Sequence, residues 1–137
     1  MSMKRKIMLA TSIIAVSIMS FAFTSIQQTK PWPVPDKNAK TANPVKADKE
    51  SISAGKALWS LHCASCHGKT GVGDGSKAAQ LKTQPQDLTT AKMQSQSDGA
   101  LFYKISEGRE DMPSFKKKIA DPDDIWNVVN YMRTLKK

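Results

Sequence analysis

Cys63, Cys66 and His67 concentrate the soft-ligand chemistry of this chain. It has two cysteines and two histidines, and three of these four residues fall within Cys63-Ala64-Ser65-Cys66-His67. On a helical turn, positions i, i+3 and i+4 share one face. Two thiols so placed can reach the two vinyl groups along one edge of a porphyrin, and the imidazole that follows can lie beneath the iron. C-x-x-C-H is the pattern of covalent haem attachment. A thiol–disulfide redox site would use the same cysteines, but the strand–helix context usual for it is missing. A zinc site needs four ligands. Only His62 adds to the other three, and adjacent ligands in one turn give poor tetrahedral geometry. In an exported chain a cysteine pair commonly closes a disulfide; the histidine directly after Cys66 makes haem the more specific reading. His62 points away from the face used by the other three and reads as a helix-end or surface residue.

Haem iron needs either a second axial ligand or an open site. Met112, in Asp111-Met112-Pro113, lies 45 residues after His67, far enough for the chain to reach the opposite haem face. A thioether favours reduced iron, so His/Met ligation raises the potential and suits an electron carrier. Met112 as ordinary gap-filling core is the plainer alternative. Met93, in a polar stretch, and Met132, on the apolar face of the last helix, are the rival sulfurs. An open site would instead mean a peroxidase or a gas binder. A peroxidase wants a distal acid–base group; Arg109 is the nearest candidate, and Met112 argues against the idea.

The elements that must position these groups read as helices. Ser53 can cap a first helix that carries Ala54, Ala57, Leu58 and Leu61 at helical spacing and runs into Cys63. A second helix begins near Asp98, with Leu101, Phe102 and Ile105, and stops at Gly108. Asp121 can cap a last helix with Pro122 at its first position and Asp123 and Asp124 in its first turn. Ile125, Val128, Val129 and Met132 then fall at i, i+3, i+4 and i+7. No stretch alternates with period two, so the domain reads as mainly helical, with loops between. Gly68, Gly71, Gly73 and Gly75 superficially resemble a phosphate loop. The glycine such a loop needs five residues before Gly68 is replaced by Cys63, and no strand precedes it. The glycines read better as tight turns beside the haem edge.

The front of the chain differs in character. Lys4, Arg5 and Lys6 precede 20 uncharged residues from Ile7 to Ile26, six of them Ser or Thr. This is an export signal, cleaved after Ala22, or a retained anchor long enough to span a hydrocarbon core. In either case the positive flank stays inside and the rest crosses to the periplasmic side, tethered to the inner membrane by residues 7–26 if the leader is kept. Residues 1–26 are therefore read as signal or anchor. Residues 27–50, with Pro31, Pro33, Pro35 and Pro44 among many Lys, Asn and Ala, read as an extended, solvated spacer. Residues 51–137 are the domain.

With 39% hydrophobic residues, partly spent in the leader, such a domain has a thin core that a covalent cofactor would brace. The net charge is +9, and residues 31–137 contribute 17 basic and 12 acidic side chains of it. This is either a mixed soluble surface or a field that steers an acidic partner. The basic residues are not interleaved with aromatics and no nucleic-acid motif occurs, so nucleic acid is excluded as a partner class.

Residues 51–137 resemble a class I c-type cytochrome. The resemblance rests on Gly55 and Trp59, Cys-Ala-Ser-Cys-His-Gly at 63–68, Pro85-Gln86-Asp87-Leu88, Met112-Pro113, and Trp126 through Tyr131. The loops are most similar to the short cytochrome domains of haem-copper oxidase subunits. The resemblance implies a small all-α fold in which the N- and C-terminal helices cross around one covalent haem c, with Gly55 and Trp59 meeting Val128 and Tyr131. It implies Cys63 and Cys66 as attachment points, His67 and Met112 as iron ligands, and the Pro85 carbonyl as acceptor for the His67 ring. It further implies one-electron transfer between redox protein partners, without catalysis, as a free carrier or as a module of a larger complex.

Overall fold

Among the described residues, the three longest helices each begin at a residue whose side chain caps them. The structure is a computed structural model that describes residues 31–137, and Pro33–Lys137 form one compact unit. A short α1 (Asp36–Ala39) precedes α2 (Lys49–His62) and the single turn α3 (Ala64–His67). After a 3-10 turn at Ala78–Gln80 come α4 (Ala91–Gln94), α5 (Asp98–Glu107) and α6 (Pro122–Arg133). The all-α expectation holds: among the described residues the only β feature is an isolated bridge between Arg109 and Met112.

The cap of α2 is Asp48, whose carboxylate accepts from the Ser51 N–H at 3.0 Å. Ser53, the expected cap, lies a turn inside the helix. A carboxylate at the helix start satisfies an orphan N–H and meets the positive end of the dipole, so the helix begins as soon as such a residue is available. The other two helices are where they were expected: α5 begins at Asp98 and ends before Gly108, and Asp121 caps α6 through the Asp123 N–H at 2.9 Å. The cap of α5 is Ser97, whose side chain accepts from the Ala100 N–H.

α2 and α6 cross at Gly55. A Cβ there would stand 1.9 Å from the Asn127 carbonyl oxygen and 2.9 Å from Tyr131 Cβ. No side chain fits, so the two backbones touch. Trp59, one turn further along α2, packs on Tyr131 with ring centroids 5.8 Å apart. Val128 and Val129 are wholly buried beneath the crossing. α5 closes the core from the other side, stacking Phe102 on Trp126 at 4.2 Å. Arg133 at the end of α6 donates to Asp98 at the start of α5 from both Nε and Nη2, at 2.8 and 2.6 Å. The pairing suits both dipoles, a cation at a C-terminus and an anion at an N-terminus.

Residues 33–48 depart from the expected solvated spacer. Asn43 Nδ2 donates to Asn130 Oδ1 at 2.8 Å, and Asn130 Nδ2 in turn donates to the Val45 carbonyl at 3.2 Å and to Ser51 Oγ at 2.8 Å. Ser97 Oγ donates to the Ala39 carbonyl at 2.6 Å, and Gly99 leaves room for the Asn38 carbonyl, 2.2 Å from where its Cβ would be. Proline-rich and polar, the segment has no apolar period. It docks through backbone carbonyls and amide side chains instead, a mode that leaves no hydrophobic signature. The leader read over residues 1–26, including the tether at 7–26, lies outside the described residues. Among the described residues no helix is long and apolar enough to cross a membrane.

Two outcomes test this packing. Gly55→Ala gains about 1 kcal/mol in helix propensity but must push two backbones apart, an overpacking cost of about 3 kcal/mol. A net loss of about 2 kcal/mol is expected in guanidinium unfolding of the haem-loaded protein, and a parental midpoint would contradict the close crossing. Asn43→Ala strips Asn130, 3% exposed, of its donor. A loss of about 1–2 kcal/mol is expected in the same assay; no loss would mean that residues 33–48 are not held.

Candidate functional site

The end of α2 delivers the motif. Cys63 closes that helix by donating its N–H to the Trp59 carbonyl at 2.9 Å, and its own carbonyl accepts from Cys66 and His67 at 3.1 and 2.9 Å. Cys63, Cys66 and His67 therefore lie on one helical turn, as their spacing requires. Both cysteines are free thiols.

Gly68, at φ +78, ends the turn, and the glycine loop folds straight back over it. Gly73 donates to the His67 carbonyl at 2.9 Å, Gly75 to the Cys66 carbonyl at 3.2 Å and Lys77 to the Ser65 carbonyl at 2.8 Å. These are carbonyls that a helix end leaves without partners. At Gly75 a Cβ would meet the Ser65 carbonyl at 2.4 Å, so the close approach needs glycine. The glycines build a brace for the C-x-x-C-H turn, and the element before them is a helix, which disposes of the phosphate-loop reading.

The electrostatics of the turn disfavour disulfide exchange at Cys63. Burial, reinforced by the neighbouring Cys66, pushes the Cys63 thiol up to about 12. A disulfide-exchange nucleophile needs the opposite shift. Burial also lowers the pKa of His67, which keeps its imidazole neutral with an electron pair to give. The His67 ring lies against Trp59 with centroids 5.7 Å apart. Its Nδ1 is buried with no hydrogen-bond partner.

The bond expected from His67 to the Pro85 carbonyl is thus not made in this structure. Pro85 lies close by all the same: its carbonyl oxygen is 2.5 Å from where a Cβ on Gly73 would stand, and Gly73 is the residue bonded to the His67 carbonyl.

Met112 sits at the end of a tight hairpin. Arg109 and Met112 exchange backbone hydrogen bonds, at 2.8 Å to the Met112 carbonyl and 3.0 Å to the Arg109 carbonyl. Met112 is half-buried against the core cluster that also contains Cys63. Met93 packs against the same cluster, but its sulfur accepts from Gln96 Nε2 at 2.9 Å. Met132 is buried within α6. His62 turns its ring edge toward Phe115, with centroids 6.1 Å apart, and takes no part in the turn.

One role escaped sequence reasoning. The Trp59 indole N–H donates to the Gly68 carbonyl at 3.1 Å, clamping the residue just after the motif. Its position four residues before Cys63 places it on the same helix face, which is a usable signal. Two free thiols and a neutral buried imidazole on one turn are the groups that covalent haem attachment requires.

The comparisons agree with this donor set. Residues 50–132 match the family described as cytochrome c oxidase, cbb3-type, subunit III. Cytochrome c6 of Pyropia tenera is 30% identical over 81 residues, covering 59% of this chain and 88% of that one. Cytochrome c6 of Porphyra purpurea is likewise 30% identical over 81 residues, which are 68% of its length. Among solved structures, a chain of the Kuenenia stuttgartiensis reducing HAO-like protein complex Kustc0457/Kustc0458 superposes with a TM-score of 0.64 at 28% identity. The overlap is 80% of this chain and 53% of that one, so the chain spans about half its length. The KustC0563 c-type cytochrome superposes with a TM-score of 0.53 at 29% identity, over 61% of this chain and 98% of that one. With a family match that runs over more than half its length and through the Cys63–His67 turn, the chain belongs to the cytochrome c oxidase, cbb3-type, subunit III family of c-type cytochrome domains, which carry electrons on a covalently held haem.

Proposed function

We propose that the protein is a mono-haem carrier that passes one electron at a time between extracytoplasmic redox proteins of a respiratory-type chain, with His67 and Met112 as axial ligands. The observation that carries this is the single turn presenting two free thiols and a neutral imidazole on one face. Only one such turn can be built from two cysteines, hence one haem. When bound, the haem supplies an iron that takes up and returns a single electron.

Every other part of the work falls to the chain. Cys63 and Cys66 would hold the group through thioethers, and His67 would ligate from the side of α3. The Pro85 carbonyl would accept from Nδ1 once the imidazole is fixed by the iron, raising its basicity; the orphaned Nδ1 and the nearby carbonyl support that assignment. Met112 is preferred as the second ligand because its hairpin projects it against the core while the Met93 sulfur is engaged by Gln96. Arg109, the residue that kept a peroxidase reading alive, pairs with Glu110 at 3.8 Å.

The positive flank and uncharged stretch of residues 4–26 support export and an inner-membrane tether. A place as a module of a larger oxidoreductase complex is the second arrangement. It is favoured by the likeness to a chain of the HAO-like protein complex.

Met112→Ala is expected to leave the haem attached and to lower the potential by about 0.1–0.3 V, within the span that axial ligands command. An unchanged visible spectrum and potential would eliminate Met112 as ligand. Replacing both Cys63 and Cys66 by Ala is expected to abolish haem retained after denaturation, together with most of the helical circular dichroism. Haem surviving denaturation in that variant would contradict the attachment site.

A further inference from the structure

The hairpin that carries Met112 is strained and is held from outside. Glu110, at its tip, has φ +54, in the left-handed region that L side chains adopt only where the surroundings impose it. Gly108, directly before the hairpin, allows the chain to double back: a Cβ there would meet the Met112 carbonyl oxygen at 2.5 Å. Two outside ties come from one residue of a distant loop. The Thr83 N–H donates to Asp111 Oδ2 at 2.8 Å, and Thr83 Oγ1 donates to Glu110 Oε2 at 3.0 Å. Both tip carboxylates are therefore tied to Thr83. The tie crosses 28 residues of chain in one case and 27 in the other.

Thr83 is only two residues from Pro85. It thus joins the loop beside His67 to the loop that ends in Met112. That Thr83 loop is itself fixed: Gln84 Nε2 donates to the Ala78 carbonyl at 3.0 Å, and Ala78 is buried. Within itself the hairpin has two backbone bonds, the Arg109–Glu110 pair at 3.8 Å and an unfavourable tip. With Thr83 it has an external anchor on each of the two residues that make the tip.

We propose that Thr83 is a positioning residue for the Met112 ligand, a clamp between the two loops that keeps the sulfur from leaving the iron. This rests on Met112 being the second ligand. Without the clamp the strained tip relaxes, and the loop spends more of its time open. An external ligand that must wait for that opening then binds more tightly in proportion to the open fraction.

The test is a titration of the oxidised, haem-loaded protein with imidazole, followed by absorbance. Thr83→Val, which keeps the shape but loses the hydroxyl donor, is expected to raise imidazole affinity about fivefold, and Asp111→Ala by a similar factor. Thr83→Ser restores the donor and is expected to return the affinity to the parental value. Asn43→Ala removes a bond to Asn130 that involves neither loop, and is expected to leave the affinity unchanged. Parental affinity in both Thr83→Val and Asp111→Ala, while the sulfur-to-iron charge-transfer band persists in the parent, would overturn the clamp alone. An equal rise in Asn43→Ala would also overturn it, by making the effect general loosening. Absence of that band in the parent protein would overturn the Met112 ligand and the clamp with it.

Discussion

Everything in this domain depends on the contact between Gly55 and the Asn127 carbonyl. It brings the backbones of α2 and α6 together at a point where no side chain fits. From there α2 has one direction in which to run, and its last turn becomes the Cys63–His67 motif. Trp59 translates the crossing into the site. Its ring packs on Tyr131 of α6 and on His67, and its N–H holds Gly68. A single side chain thus connects the packing of the two long helices to the orientation of the ligating turn.

The remaining elements divide the labour between bracing and closing. The glycine loop bonds the free carbonyls of the motif turn, and α5 seals the core opposite the crossing. The Arg133–Asp98 pair and the Asn130 network tie the periphery. Both rest on charged or amide groups rather than on apolar area, as a domain with a thin core must. Buried polar networks are costly when half-satisfied. Asn130 meets that demand by serving both Asn43 and Ser51.

The site's chemistry was more legible in the sequence than the fold's outer parts. Cys63, Cys66 and His67 could be read because their spacing alone dictates a shared helical face. α6 could be read because Asp121, Pro122 and its apolar period point the same way. The start of α2 could not be read from Ser53, since the first apolar residue is a poorer marker than the first carboxylate able to cap. Residues 33–48 gave no signal, because amide–carbonyl docking has no period. The Pro85 bond rested on resemblance, and the His67 Nδ1 is instead left without a partner. Nor did any local pattern betray Thr83, because its partners lie in a loop distant in sequence.

Intact-mass spectrometry of the purified, denatured protein, with sequencing of the peptide that contains residues 63–67, tests the central claim most directly. The account predicts a chain heavier by one haem, with the added mass on Cys63 and Cys66. A chain of unmodified mass, or one lighter by two hydrogens from a Cys63–Cys66 disulfide, from cells able to mature c-type cytochromes would contradict it.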